Sequence, residues 1–166
     1  RGRGGIVENI YIENISMFDI ATEPFLFDLY YMGKSAVESF EDGDQTTTPQ
    51  AEVVAVDETT PIFRNIYVKN LVARNARRAM YFNGLPEMNI TNINVENAFL
   101  SAQFGAELVE SDGINFKNIT LVVQKGPALD LYNVKNFEAE GLEYSNSSEE
   151  PIVIQGENSQ NININK

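Results

Sequence analysis

Apolar and polar positions alternate in short bursts along this chain, and the bursts recur. The first is Val7-Glu8-Asn9-Ile10-Tyr11-Ile12-Glu13-Asn14, an Asn-Ile-x-Ile-x-Asn phrase. It returns as Asn65-Ile66-Tyr67-Val68-Lys69-Asn70 and as Asn92-Ile93-Asn94-Val95-Glu96-Asn97. Asn118-Ile119-Thr120-Leu121 and Gly141-Leu142-Glu143-Tyr144 read as weaker copies, and Asn161-Ile162-Asn163-Ile164 as the start of another. The steps between phrases are 56, 27, 26, 23 and 20 residues. Alternation with period two is strand periodicity, and recurrence at this length marks a stacked repeat. One such strand cannot bury its apolar face, whereas stacked copies cover one another. Ile10, Ile12, Ile66, Val68, Ile93, Val95, Ile119 and Leu121 are the expected inward rows. The flanking asparagines are expected to form ladders at corners, because Asn tolerates a left-handed backbone and its amide can bond from coil to coil.

A second strand family follows each phrase: Phe25-Leu26-Phe27, Ala79-Met80-Tyr81-Phe82, Ala106-Glu107-Leu108-Val109, Ala128-Leu129-Asp130-Leu131 and Pro151-Ile152-Val153-Ile154. Asn83-Gly84, Asp112-Gly113 and Gly156 mark turns. The pattern therefore predicts an all-β chain, a right-handed parallel β-helix with coils of about 22–27 residues. Residues 1–166 form a single β-helix domain. The 56-residue first step holds one coil plus an insertion of about 30 residues, placed at about 35–61. That stretch is acidic, Thr-rich and without periodicity, and reads as a long loop projecting from one corner. Arg1-Gly2-Arg3-Gly4-Gly5 reads as a glycine-rich corner between strands rather than a phosphate loop, since no strand–turn–helix setting surrounds it.

Composition narrows the function. The chain has 166 residues, 43% of them hydrophobic, and a net charge of −12 from 24 acidic and 12 basic residues. That balance argues against nucleic acid or an anionic membrane surface as partner. There is no Cys, so no disulfide, and no His, the commonest general base and metal ligand. No apolar run is long enough to cross a bilayer as a helix, and no signal peptide is recognisable. A start on Arg1 reads as that of a processed or excised piece.

Catalytic chemistry is sparse. Glycoside hydrolysis needs convergent carboxylates, and Asp28 and Asp130 fall about four coils apart in this register. Neither a nucleophile set nor a metal cluster stands out. Arg74, Arg77 and Arg78 form a basic spot, read either as a solvated corner that pairs with the acidic loop or as a site that recognises an anionic ligand. Asn14, Asn89, Asn118 and Asn146 each begin a glycosylation sequon, but roles as ladder asparagines explain them more simply. Tyr30 and Tyr31 suit either packing or stacking on a sugar ring.

Several stretches carry a family likeness. Arg1-Gly2-Arg3-Gly4-Gly5-Ile6-Val7-Glu8-Asn9-Ile10, Phe25-Leu26-Phe27-Asp28-Leu29-Tyr30-Tyr31-Met32-Gly33-Lys34, Thr60-Pro61-Ile62-Phe63-Arg64-Asn65-Ile66 and residues 76–87 resemble polygalacturonase-type enzymes, family 28 of the glycoside hydrolases. The resemblance spans nearly the whole chain and is most specific over residues 1–90. It implies a pectin-lyase-like solenoid that cleaves galacturonan or a related pectic polymer by inversion, without a cofactor, in the periplasm or outside the cell. The family's Asn-x-Asp, Asp-Asp and Gly-His-Gly signatures do not occur here. Its Arg-x-Lys motif falls just ahead of Arg1. The chain thus resembles the C-terminal portion of such an enzyme, with the N-terminal remainder of the parent β-helix as its partner and no catalytic residue of its own. The resemblance assigns substrate binding to Tyr31, at the end of the strand one coil after Arg-x-Lys. Arg1, Arg3 and Lys34 are expected beside it as cations for an acidic pectic substrate. Two other readings stay open at this point: a non-catalytic β-helix of the adhesin or polysaccharide-binding kind, and a polysaccharide lyase, which would need a calcium-binding carboxylate cluster.

Overall fold

The computed structural model of the protein describes residues 2–30 and 53–165. They form eight strands and no helix: β1 (Ile6–Phe18), β2 (Leu26–Asp28), β3 (Ile62–Asn83), β4 (Ile90–Val109), β5 (Ser111–Tyr132), β6 (Lys135–Ser145), β7 (Ile152–Gln155) and β8 (Gln160–Asn165). All strand pairs are parallel. The main stack runs β1-β3-β4-β5-β6-β8, while β2 pairs with β3 and β7 with β5. The chain is a parallel β-helix of stacked coils, as the repeat predicts. Arg1, Tyr31, Lys34 and most of the insertion lie outside the described residues.

The long strands are bent, and the bends fall on the residues that tolerate them. Asn9, Asn14 and Asp19 all have positive φ, as do Asn65, Asn70 and Asn75 one coil on. The next coils repeat this at Asn92 and Asn97, at Gly113 and Asn118, and at Asn136 and Gly141. Asn and Gly adopt this left-handed backbone at least cost. Their amides stack as expected. Nδ2 of Asn70 donates to Oδ1 of Asn14 at 2.9 Å, Asn97 to Asn70 at 3.2 Å and Asn118 to Asn97 at 3.0 Å. In the neighbouring ladder Asn65 donates to Asn9 at 3.4 Å and Asn92 to Asn65 at 2.8 Å. Gly113 interrupts that ladder; Asn136 donates instead to Asp112 at 2.7 Å, and Asn161 to Asn136 at 2.9 Å. Two sequon asparagines, Asn14 and Asn118, are thus ladder members. Asn89 and Asn146 donate to the carbonyls of Leu85 and Gly126.

The core lies inside the coils, but its rows differ from the expected register. Ile93 pairs with Ile114, and Ile114 with Phe137. Ile119 pairs with Ala98, which pairs with Leu71, so Ile119 and Leu121 are buried in a different row from Ile66 and Val68. Asn118 and Gly141 therefore close a phrase rather than open one. The true steps after Asn92 are 21, 23 and 25 residues, from Ile93 to Ile114, Phe137 and Ile162. Ile10 belongs to the expected row but is 37% exposed, because β1 is the end strand of the stack.

Along the first strand family a second register mark appears. Glu13, Lys69, Glu96, Lys117 and Glu140 are successive cross-coil partners, so charge alternates at every step. Lys69 Nζ and Glu96 Oε2 stand 3.3 Å apart. Each exposed pair contributes little alone, yet a slip by one coil would set like charges opposite one another.

Candidate functional site

The second strand family presents two outward columns. One is Leu26, Tyr81, Glu107, Asp130 and Val153; the next is Asp28, Asn83, Val109, Tyr132 and Gln155. Asp28 and Asp130 therefore sit in different columns, three coils rather than four apart. Asp28 is a corner acceptor: its Oδ1 takes the Tyr30 N–H at 2.9 Å and Asn83 Nδ2 at 3.0 Å. Tyr30 itself is buried in the core, so the packing reading holds for that member of the pair. Arg3 is exposed beside a turn pinned by Gly2 and Gly4, whose N–H groups both donate to the Thr59 carbonyl.

The three arginines do not form one solvated spot. Arg74 lies over the Phe99 ring at 4.8 Å. Arg78 lies over Tyr81 at 4.6 Å and pairs with Glu107 at 3.1 Å, with both side chains mostly covered. Arg77 stays exposed.

Arg77 and Arg78 open a groove of about 270 Å³ that continues over Phe104 to Glu107 and Lys125 to Asp130. Arg78, Phe104 and Lys125 are cross-coil partners, so a cation, a half-exposed phenyl ring and a second cation line one wall. Glu107 and Asp130, partners on adjacent coils, line the other. Neighbouring parallel strands are about 4.8 Å apart, so these two carboxylates stand on adjacent coils, whereas the one acidic pair weighed from the sequence, Asp28 and Asp130, was set about four coils apart. Burial pushes the Asp130 carboxyl up, only partly offset by the bond from Gln155 Nε2 at 3.1 Å. Arg77 and Lys125 have no ion pair among the described residues, leaving them available to an anion. The groove depends on Gly105, whose bare Cα lets the Gly126-Pro127-Ala128 corner of the next coil close over it. The sequence signal for this site was the basic spot of Arg74, Arg77 and Arg78, of which Arg77 and Arg78 line the groove, but the corner that adds Lys125 and Asp130 is set by tertiary register.

A second carboxylate escaped the sequence reading. Glu110 is buried at a corner with φ 47°, accepting Nδ2 of Asn133 at 2.6 Å and of Asn89 at 3.2 Å. It occupies the corner that Asn133 fills on the next coil, so it serves as a ladder member with charge. Burial pushes its carboxyl up, against those two bonds and the nearby Lys135 ammonium. Glu110 and Asp130 thus hold protons more tightly folded than unfolded. The stability each contributes is fully present below the unfolded carboxylate range and is lost as pH rises through the folded value. Thermal unfolding should therefore gain from these two groups in the unfolded carboxylate range, about pH 4, relative to about pH 8, and Glu110→Gln should reduce that gain. An unchanged slope in Glu110→Gln would remove Glu110 from this account.

Among the described residues no cluster of three or more metal-ligating side chains occurs. Comparison of the chain with family models, curated proteins and solved structures finds no match.

Proposed function

We propose that this β-helix holds an acidic polysaccharide across the Arg77–Asp130 groove, as the C-terminal part of a polygalacturonase-like glycoside hydrolase. The observation that carries this reading is the pairing of available cations, Arg77 and Lys125, with the half-exposed Phe104 between them, on a chain of net charge −12. A pyranose ring stacks on an aromatic face, and uronate carboxylates take cationic donors on either side. Glu107 does not oppose this strongly, since Arg78 neutralises it. Tyr31, Arg1, Arg3 and Lys34 bind substrate in the parent enzyme, as the family resemblance implies, and the N-terminal coils of that parent supply the catalytic aspartates. The setting is periplasmic or extracellular.

Titration calorimetry with oligogalacturonates tests the reading, with neutral galactan oligomers as control. The acidic oligomers should bind and the neutral ones should not. Arg77→Ala with Lys125→Ala should weaken binding by tenfold or more, since each partly shielded contact contributes about 1.5–3 kcal/mol and about 1.4 kcal/mol is tenfold. The chain alone should release no reducing sugar. Equal binding of both oligomers, or indifference to the double substitution, would refute the groove assignment. A second reading is a non-catalytic polysaccharide-binding β-helix, which needs only the cations and the phenyl ring of the groove. Catalytic aspartates in the remainder of the parent would decide against it.

A further inference from the structure

The groove has two unlike walls, and the cations of one leave the carboxylates of the other unexplained. Arg78, Phe104 and Lys125 form the first wall on successive coils, and Glu107 and Asp130 the second. Phe104 and Glu107 are three residues apart on β4, so the walls are at most about 10 Å apart along the strand, at about 3.3 Å per residue. That is room for one pyranose ring. The two carboxylates are not equivalent. Glu107 Oε2 is held by Arg78 Nη1 at 3.1 Å. Asp130 Oδ1 accepts Gln155 Nε2 at 3.1 Å, and Asp130 has no other hydrogen bond and no ion pair among the described residues. Its cross-coil partner on the far side, Val153, has a side chain without a donor. Asp130 thus lines a partly dry groove with most of its lone pairs unused, which is costly for a carboxylate. Burial pushing its carboxyl up fits an acceptor short of donors.

A uronate ring has two edges to match. Its carboxylate projects from one edge, and across the ring stand the vicinal hydroxyls of C2 and C3. With one ring face on Phe104 and the carboxylate toward Arg77 and Lys125, the hydroxyl edge turns to the opposite wall. There Arg78 already occupies Glu107, and Asp130 is the acceptor with capacity to spare. One carboxylate can take two O–H donors, and hydrogen bonds to a charged acceptor are the stronger kind. We propose that Asp130 is a specificity-determining residue of the groove, accepting the C2 and C3 hydroxyls of a uronate whose carboxylate lies against Arg77 and Lys125. The groove then takes rings with these hydroxyls free and rejects rings acylated there. This assignment rests on the polysaccharide reading above and adds an orientation to it.

Titration calorimetry of the full chain with three oligogalacturonates tests it: one unmodified, one methyl-esterified at its carboxyls, and one O-acetylated at its C2 and C3 hydroxyls. The acetylated oligomer should bind at least about tenfold more weakly than the unmodified one. Asp130→Asn has the same shape and can keep the Gln155 bond on Oδ1, but it turns an amide donor to the groove, which serves an ester carbonyl as well as a hydroxyl oxygen. This variant should bind the unmodified oligomer more weakly and shrink the acetyl discrimination to about threefold or less. It should still reject the methyl ester, which also reports an intact cationic wall. A merely steric exclusion of acetyl groups would survive Asp130→Asn, so full discrimination in that variant would overturn the assignment. Equal binding of acetylated and unmodified oligomers by the unsubstituted chain would overturn it as well. Failure of the polysaccharide reading looks different: no oligomer binds, or the methyl ester binds as well as the free acid, and the assignment of Asp130 falls with it.

Discussion

Gly105→Ala should destabilise the β-helix by about 3 kcal/mol and close the groove. A Cβ at this position would stand 2.5 Å from the Ala128 carbonyl oxygen and closer still to that of Pro127. Neither carbonyl can retreat easily. The N–H groups of Ala128 and Leu129 both donate to the Pro151 carbonyl of the next coil, at 2.8 and 3.2 Å, so the corner is fixed from the far side. Moving it would also strain the Ala106–Leu129 and Glu107–Asp130 pairings. Reduced freedom of the unfolded chain works the other way, at about 0.4–1 kcal/mol, and is too small to win. Gly126→Ala separates the causes. Gly126 has φ +73° but nothing near its missing Cβ, so it should cost only the left-handed penalty of about 1–2 kcal/mol. Urea midpoints of the two variants decide the matter, and a Gly105→Ala midpoint at or above that of Gly126→Ala would show that the corner yields.

Phe116→Ala should cost about 4 kcal/mol, the largest loss expected from a single core truncation here. Phe116 is buried with neighbours Val95 and Ala139 in its row, and its ring meets Phe137 edge-on at 5.2 Å. Ala139 is small where Phe116 is large, so no side chain stands ready to fill the void. Each coil rests mainly on its neighbours, so the damage should concentrate between β5 and β6, and hydrogen exchange should rise there before it rises in β3. Ile12→Ala, in the same row but on the half-buried end coil, should cost far less. Similar losses at Ile12 and Phe116 would contradict the layered core.

The strands, ladders and repeat were legible because Asn marks the corners and apolar alternation marks the walls. The register after Asn97 was not. Each phrase begins and ends on a left-handed residue five positions apart, so sliding by five reproduces the motif, and glycine at positions 113 and 141 hid the true start and end. The charge column held the missing information. Matching Ile93 to Ile119 would set Glu96 opposite Val122, whereas the real register sets it opposite Lys117. The groove was legible only in fragments. Arg77 and Arg78 were visible as a basic spot, but Lys125 and Asp130 join them because β5 carries extra residues at a corner, where its register with β4 shifts after Phe104. Glu110 gave no signal, since a carboxylate standing in for a ladder asparagine looks like any surface acid.

The alternation of Glu13, Lys69, Glu96, Lys117 and Glu140 also constrains how such a chain can change its length over generations. Duplicating or deleting one coil brings two like charges together at the seam, while duplicating or deleting two preserves the sequence of signs. The column behaves as a parity check. Descendants that lengthen by a single coil would need a compensating charge reversal, and those that lengthen by pairs would need none.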